Sequence, residues 1–353
     1  MSAYHQHPAL RGAIAAFAIS LLSSPRLSAE SQAPTNTSPA LVTAVEGVEV
    51  VVSDLSRSRS FYESLGFISG AEEELSGTSA TQRTGLARAQ VRRVQLTLGK
   101  EQLTLVQYLS PTDGRPVPLD SKGNDLWFQH VAIVVSDMDR AFAWLRSQHV
   151  AYVSSEPQTL PRWNHAAAGI QAFYFADPDG HTLELIHFPK QKGDPRWHTR
   201  TTCARAPAEM CLFLGIDHTA ITVSDTEQSL ALYRTRLGML VTGESENYGP
   251  EQEHLNGVFG ARLHITTLRA SHGPGIELLQ YLAPRGGRPM PHDARANDLF
   301  QWQVVVRASE SRLVAEAAEA TGGRAISRAP ETGAVFVRDR DGHALLARGR
   351  TGN

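Results

Sequence analysis

The chain has 353 residues, 34 Lys and Arg against 36 Asp and Glu, and a formal net charge of −2. With 41% hydrophobic and 20% charged residues, this composition is typical of a globular protein long enough for two domains. The charge excludes the basic surface of a nucleic-acid or anionic-membrane binder. We therefore expect a small-molecule substrate, no nucleic-acid or membrane partner, and a monomer or homodimer.

The first residues differ in composition from the rest of the chain. A polar stretch with one arginine, residues 1–11, precedes the apolar run 12–22, and small residues follow up to Ala29. This order is typical of a secretory signal peptide. The sequence therefore predicts a signal peptide over 1–29, a flexible leader over 30–41 and an exported, periplasmic or secreted protein. The alternative is a disordered tail with an incidental apolar run.

The two cysteines, Cys203 and Cys211, lie eight positions apart in the chain. In an oxidising compartment they could close a small loop, but spacing alone does not establish a disulfide.

An internal duplication organises the chain. Residues 108–126 recur as 281–299, with Tyr-Leu-x-Pro, Gly-Arg-Pro and Asn-Asp-Leu at the same spacing. This match predicts two domains, 42–190 and 213–350, joined by a linker over 191–212.

Each half is divided again into two quarters. A β-branched run ending in Ser-Asp or a similar pair opens every quarter, and a helical pattern follows. The Ser-Asp pair lies at the position of a helix N-cap. The predicted helices cover residues 58–65, 139–148, 227–237 and 311–320. Strands return after each helix, and Asp-Gly in 177–181 and 339–343 predicts a hairpin turn. Each quarter is therefore interpreted as a βαβββ module.

These motifs resemble the vicinal oxygen chelate superfamily, which includes glyoxalase I, extradiol dioxygenases and bleomycin resistance proteins. The resemblance lies in the four modules, the His-x-Ala-Ile-x-Val-Ser-Asp openings at 130–137 and 218–225, and the Asp-Pro-Asp-Gly-His ending at 177–181. It implies an α+β fold, in which four βαβββ modules form two glyoxalase-like domains with cupped mixed β-sheets. One fold carries many chemistries, so the resemblance does not name the reaction.

The resemblance further implies that each module can supply one metal ligand from its first strand and a carboxylate from its last. Modules two and three supply both at these positions, and the resulting ligand set is His130, Glu184, His218 and Glu277. Modules one and four have poor ligands at the matching positions: Gly47, Thr104, Gln303 and Leu346. Of these only Gln303 could bind a metal, and weakly.

The chemistry of the four residues supports the same hypothesis. Because side chains alternate along a strand, Glu184 and Glu277 share faces with apolar residues, where a carboxylate is costly unless paired or metal-bound. Two imidazoles and two carboxylates suit one divalent metal, Zn, Ni, Co, Mn or Fe(II). Taken singly, each histidine has the alternative of a hydrogen-bonded core residue, and each glutamate that of a solvent-facing residue.

How the modules pair decides whether these ligands meet. If modules two and three pair, one site receives all four ligands; if sequence neighbours pair, each half holds an incomplete set. We predict the crossed pairing, although linker lengths permit both.

Such a site predicts a lyase, isomerase or epimerase that works by proton transfer next to a metal-chelated carbonyl or hydroxyl. Glu184 or Glu277 is the catalytic base. An Fe(II) extradiol-type dioxygenase is the first alternative, and a non-catalytic small-molecule binding or resistance protein is the second. Export favours a small exogenous α-hydroxycarbonyl, diol or aromatic compound.

Further residues are weaker candidates or have structural interpretations. Candidates for substrate contact are Trp127, Phe128 and the loop Arg162, Trp163, Asn164 and His165, with His187 and His198 as weak additions. Residues expected to be structural are Arg115, Arg288, Asn124 and Asn297 in the duplicated segments, and His181 and His343 in the hairpin turns.

Overall fold

The computed structural model describes residues 40–199, 211–329 and 333–349, so nearly all of the predicted signal peptide and leader lies outside the described residues. Cys211 is disulfide-bonded, and Cys203 also lies outside them. Within the described part, no helix is long and apolar enough to cross a membrane.

The chain forms the four predicted modules in order. Module one comprises β1 (Val42–Val51), α1 (Leu55–Ser64), β2 (Ile68–Leu75), α2 (Gly77–Thr84), β3 (Gln90–Leu98) and β4 (Glu101–Ser110). Module two comprises β5 (Gln129–Val135), α3 (Met138–Ser147), β6 (Ala151–Tyr152), β7 (Gln158–Thr159), β8 (Gln171–Ala176) and β9 (Thr182–His187), followed by a 3-10 turn (Pro195–His198).

The second half repeats this order. Module three comprises β10 (Phe213–Thr222), α4 (Thr226–Leu230) continued by a π-helical segment (Ala231–Arg236), β11 (Leu240–Tyr248), α5 (Pro250–Asn256), β12 (Arg262–Arg269) and β13 (Gly275–Ala283). Module four comprises β14 (Trp302–Ala308), α6 (Ser311–Ala320), β15 (Arg324–Ala329), β16 (Ala334–Arg338) and β17 (Ala344–Arg348).

The α+β class and the four modules are confirmed, and three of the four helices that follow a first strand start at the expected Asp N-cap, whereas α6 has no side-chain cap. Asp54, Asp137 and Asp225 are N-caps whose carboxylates accept a backbone N–H three residues on. The simple βαβββ pattern missed the short helices α2 and α5. The α2 segment contains Gly, Ser and Thr without a helical apolar period, so tertiary packing rather than propensity maintains it.

The strands form two mixed sheets, and each sheet combines modules from both halves. One sheet has the order β15-β16-β17-β14-β1-β4-β3-β2, and the other β11-β12-β13-β10-β5-β9-β8-β6. Module one therefore shares a sheet with module four, and module two with module three. The crossed pairing is confirmed.

The helices, in contrast, pack within each half. One core lies between α1 and α3 and includes Tyr62 and Leu145, and the second lies between α4 and α6 and includes Leu230 and Val314. Complete burial of such a side chain is worth about 1.5–3 kcal/mol. Each half is therefore joined internally by its helices and to the other half by its sheets.

Both hairpin turns brace neighbouring modules. Asp179 accepts hydrogen bonds from the backbone N–H and hydroxyl of Ser53, and Asp341 accepts the same pair from Ser224. His181 Nε2 lies 2.6 Å from a backbone carbonyl oxygen, and His343 Nε2 lies 2.8 Å from another. The turn role expected for these two histidines is confirmed.

The duplicated segments bind each other across the halves. Arg115 donates through its backbone and guanidinium to Asp298 at 2.7–3.1 Å, and Arg288 makes the same contacts with Asp125. Asn124 and Asn297 also donate across the halves to backbone carbonyls. The structural interpretation of Arg115, Arg288, Asn124 and Asn297 is confirmed.

We predict that Arg115→Ala lowers the free energy of unfolding by about 2–3 kcal/mol, because it leaves the fully buried Asp298 carboxylate without its cation. Arg92→Ala removes the exposed pair with Glu74 and should cost at most about 1 kcal/mol. Urea unfolding measures both values, and equal losses would contradict the structural role of Arg115.

The stabilisation that Arg115 provides through Asp298 depends on pH. Burial raises the pKa of Asp298, but its bonds with Arg115 and backbone N–H groups hold that pKa below the ordinary 3.8. This stabilisation exists above pH 3.8 and disappears as pH falls through the lowered pKa. The stability difference between wild type and Arg115→Ala should therefore shrink in acid.

Candidate functional site

Two neighbouring central strands position the two candidate histidines. In the antiparallel pair of β5 and β10, His130 lies opposite Ala220 and His218 lies opposite Ala132. Residues opposite each other share a sheet face. Because both partners are alanines, the two imidazoles have room to approach each other, and their Nε2 atoms lie 3.4 Å apart.

The outer strands place the two carboxylates beside the same alanines. Glu184 in β9 lies beside Ala132, and Glu277 in β13 lies beside Ala220. The crossed sheet therefore brings the four predicted ligands to one face.

Three of the four form a compact set. Glu184 Oε2 lies 3.1 Å from His130 Nε2 and 3.4 Å from His218 Nε2. The three side chains are nearly inaccessible, with at most 5% of each residue exposed. Ligands about 2.0–2.2 Å from one ion stand about 3.0–3.5 Å apart, so these spacings fit a divalent cation bound by this His-Glu-His cluster.

Glu277 stands slightly apart from this set. Its Oε2 lies 3.4 Å from His218 Nε2, and its Oε1 accepts a 2.9 Å hydrogen bond from the Thr267 hydroxyl. Its side chain is 19% exposed, against 6% for Glu184. The structure thus separates one buried carboxylate that both histidines share from one that is more exposed at the cavity.

Asp217, which sequence reasoning missed, orients His218. Its Oδ2 lies 3.0 Å from His218 Nδ1, and Arg269 binds both of its carboxylate oxygens at 3.0 Å. Regular alternation would send residues 217 and 218 to opposite faces. However, the register of β10 shifts between Ile216 and His218, so a β-bulge turns both toward the site.

These contacts also shift the pKa values of His218 and Glu184. Burial lowers the pKa of His218, but Glu277, Asp217 and Glu184 outweigh it and raise that pKa well above its usual range. Burial raises the pKa of Glu184, but the two histidines hold it at about 2. The buried His130 Nδ1 has no hydrogen-bond partner among the described residues.

Tyr174 is a second residue that the sequence did not reveal. It lies opposite Glu184 in β8, and its ring centroid is 4.9 Å from that of His130. Burial, followed by the charges of Glu184 and Glu277, raises its pKa well above the ordinary value. Period-two alternation could have placed Tyr174 on the site face once the β8–β9 register was known.

A cavity of about 380 Å³ opens over the cluster. Modules two and three line it, and the loop between β7 and β8 covers one side. In this loop Asn164 is buried and donates to Asn247 at 2.6 Å, while Trp163 stacks on Tyr248 with ring centroids 4.2 Å apart. Ala166 and Ala167 line the cavity, whereas Arg162 and His165 are exposed.

The remaining candidates lie outside the ligand set. The Phe128 ring is 5.8 Å from that of His130, but Trp127 packs on Phe300 instead. His187 follows Glu184 by three positions on β9 and therefore points to the opposite sheet face. The His198 imidazole is 2.8 Å from the Lys192 carbonyl oxygen.

In the second sheet, the four corresponding positions cannot form such a cluster. Gln303, Leu346, Gly47 and Thr104 occupy them, as predicted from the sequence. Gly47 lies at a bulge with φ +150°, where an added Cβ would stand 2.3 Å from the Gln102 carbonyl oxygen. A ligating side chain therefore does not fit at position 47.

The sheet of modules two and three forms the first cup, and the sheet of modules one and four forms the second. Glu49, whose position corresponds to that of Ala220, lies in the second cup. Three guanidiniums surround it, and their closest nitrogens lie 2.9, 3.5 and 3.6 Å from Glu49 Oε1: Arg83, Arg93 and Arg348. Burial raises the pKa of Glu49, but the three arginines outweigh it and hold the pKa below its ordinary value. An ion-pair cluster therefore stands where the first cup has its His-Glu-His cluster.

The chain belongs to the Glyoxalase/Bleomycin resistance protein/Dioxygenase superfamily, whose model matches residues 44–185 and 215–346. It is 33% identical over 154 residues to a 2-epi-5-epi-valiolone epimerase from Actinomyces sp., covering 41% of this chain and 80% of that protein.

Solved structures share the fold across most of the chain. Glyoxalase I from Zea mays superposes with a TM-score of 0.56 at 16% identity, covering 88% of this chain and 93% of that one. A candidate dioxygenase from Bacillus subtilis gives 0.53 at 14% identity, covering 89% and 87%. At such identities the likeness concerns the fold alone.

We predict that Glu49→Ala lowers the free energy of unfolding by about 3 kcal/mol, because three arginines lose their shared buried partner. Glu74→Ala, which removes an exposed carboxylate from the same sheet, should cost at most about 1 kcal/mol. Thermal and urea unfolding of both variants measure the difference. If Glu49→Ala left the free energy of unfolding unchanged, the ion-pair cluster would not stabilise the second cup.

Proposed function

We propose that the protein is a metal-dependent isomerase or epimerase that moves a proton at a carbon next to a carbonyl of a small molecule. The observation that carries this proposal is a buried His-Glu-His cluster with ligand spacing, beside a separate carboxylate at the cavity wall. The epimerase relative supports the same class of reaction.

His130, Glu184 and His218 would hold the divalent cation. Its donor set of two imidazoles and a carboxylate suits Zn, Ni, Co, Mn or Fe(II). When bound, the cation would act as a Lewis acid on substrate oxygen. Asp217 holds His218 with Nε2 toward the cluster, which is the usual role of a carboxylate behind a metal-binding histidine.

Glu277 is the better candidate for the base. Glu184 contacts both histidines through Oε2 and is almost fully buried, so its departure would remove the one carboxylate that both imidazoles share. Of the two histidines, Glu277 contacts only His218, and its side chain is more exposed at the cavity than that of Glu184. The Thr267 hydroxyl holds its Oε1, which leaves Oε2 to accept the substrate proton.

An Fe(II) dioxygenase is the second candidate, and the cluster itself favours it. Two histidines and one carboxylate are the ligands of many non-haem Fe(II) oxygenases. Oxygen consumption by the Fe(II)-loaded protein with catechols would support this alternative, whereas proton exchange without oxygen uptake supports the isomerase.

The metal site predicts a graded loss of Zn²⁺ affinity. Asp217→Asn should cost about 10–100-fold, as loss of an outer-shell partner does, and His130→Ala should cost more. Gln303→Ala, which changes the counterpart of His130 in the second cup, should bind Zn²⁺ like wild type. Elemental analysis and calorimetric titration measure these values; undiminished binding by His130→Ala would refute the site.

The assignment of the base predicts that Glu277→Gln lowers proton exchange at least about 100-fold, the usual contribution of a general base, while the protein keeps its metal. Incorporation of solvent deuterium into α-hydroxyketones, from dihydroxyacetone to scyllo-inosose, is followed by NMR. Glu246→Gln, an exposed carboxylate on β11 outside the cavity lining, is the control and should exchange normally. Wild-type exchange by Glu277→Gln would exclude Glu277 as the base.

A further inference from the structure

The cavity over the cluster has two chemically different walls. Module two contributes an apolar wall that includes Leu160, Ile170, Ile186 and Phe188. Module three contributes polar side chains from β11, β12 and α5. A ligand that fits both walls needs a face of C–H groups on one side and hydrogen-bonding groups on the other.

The polar wall offers groups suited to hydroxyls. Ser245 and Asn247 alternate on β11 and so share the face toward the cavity. Asn164 donates to Asn247 Oδ1, so the Nδ2 donor of Asn247 is not used in that bond. Gln252 donates to Asn256, and its buried Oε1 has no hydrogen-bond partner among the described residues. The wall thus contains neutral donors and acceptors together.

The cations at the cavity are already engaged. Lys192 Nζ donates to the carbonyl oxygens of His165 and Ala166 at 2.7 and 2.8 Å. Arg269 donates to both carboxylate oxygens of Asp217 and to its backbone carbonyl. An anionic substrate group is usually bound by a guanidinium or ammonium. Among the described residues that line the cavity, Arg269 is therefore neutralised by Asp217, and Lys192 has two of its three N–H donors in use.

The cavity lining also contains carboxylates, which repel an anionic substrate group. Glu244 and Asp194 also line the cavity, in addition to the candidate ligands and base. At these walls, away from the cation that the proposed function requires, a substrate carboxylate or phosphate would meet like charges. The volume of about 380 Å³ is at the small end of ligand cavities, which are about 300–1,000 Å³.

From these contacts we infer that the substrate is a small, uncharged, polyhydroxylated ketone. Asn247 and Gln252 bind its hydroxyl groups, and the module-two wall packs against its C–H face. This inference rests on the proposed function for the reacting carbonyl, but its charge and hydroxyl recognition come from the walls alone.

The test compares two cyclic polyhydroxylated ketones that differ in charge, scyllo-inosose and the carboxylate dehydroquinate. Both are titrated calorimetrically into the full chain loaded with Zn²⁺. We expect scyllo-inosose to bind at least about tenfold more tightly. Equal or tighter binding of dehydroquinate, or failure of scyllo-inosose to bind, would overturn the inference.

Two variants test the polar wall separately. Asn247→Leu and Gln252→Met keep side-chain size and remove hydrogen bonds, so each should weaken scyllo-inosose binding about tenfold. Gln228→Met, an exposed position on α4, is the matched control and should bind like wild type. If one variant fails to fold, the other still decides; wild-type binding by a folded variant would contradict the assigned role.

Deuterium exchange, measured on the same samples, separates the two proposals. Tight binding of scyllo-inosose without exchange would overturn the proposed proton transfer and leave the inference on substrate class intact. Exchange into dehydroquinate but not into scyllo-inosose would overturn the inference and support the proton transfer.

Discussion

The antiparallel pairing of β5 with β10 is the contact on which the site depends. It sets His130 and His218 opposite alanines on one sheet face, so that their Nε2 atoms approach to 3.4 Å. A slip of one residue would turn one of these strands over and remove its histidine from the cluster. The reciprocal Arg115 and Arg288 contacts join the two halves elsewhere and support this register.

Duplication produced two cups with the same backbone plan and different interiors. In the second cup a glycine, a leucine, a glutamine and a threonine replace the four candidate ligands, and Glu49 introduces a carboxylate where the first cup has Ala220. A buried carboxylate needs partners, and three arginines provide them. The chain has thus kept the fold twice and the candidate metal chemistry once.

Within the first cup, local features of the strands give the acidic residues different positions and contacts. The bulge in β10 lets Asp217 and His218 act on the same site although they are adjacent in sequence. The Thr267 hydrogen bond holds Glu277 near the cluster without including it. This difference supports the proposal that Glu184 binds a cation and Glu277 accepts a proton.

The modules, their N-caps and the four candidate ligands could be predicted from the sequence, because strand alternation and capping are local properties of the chain and the duplicated motifs mark equivalent positions. The other features of the site depend on the tertiary structure. Register and the bulge brought in Asp217 and Tyr174, and the fold placed Gln252 and Glu49 in their respective cups. These placements depend on contacts between residues far apart in sequence, which no local pattern encodes.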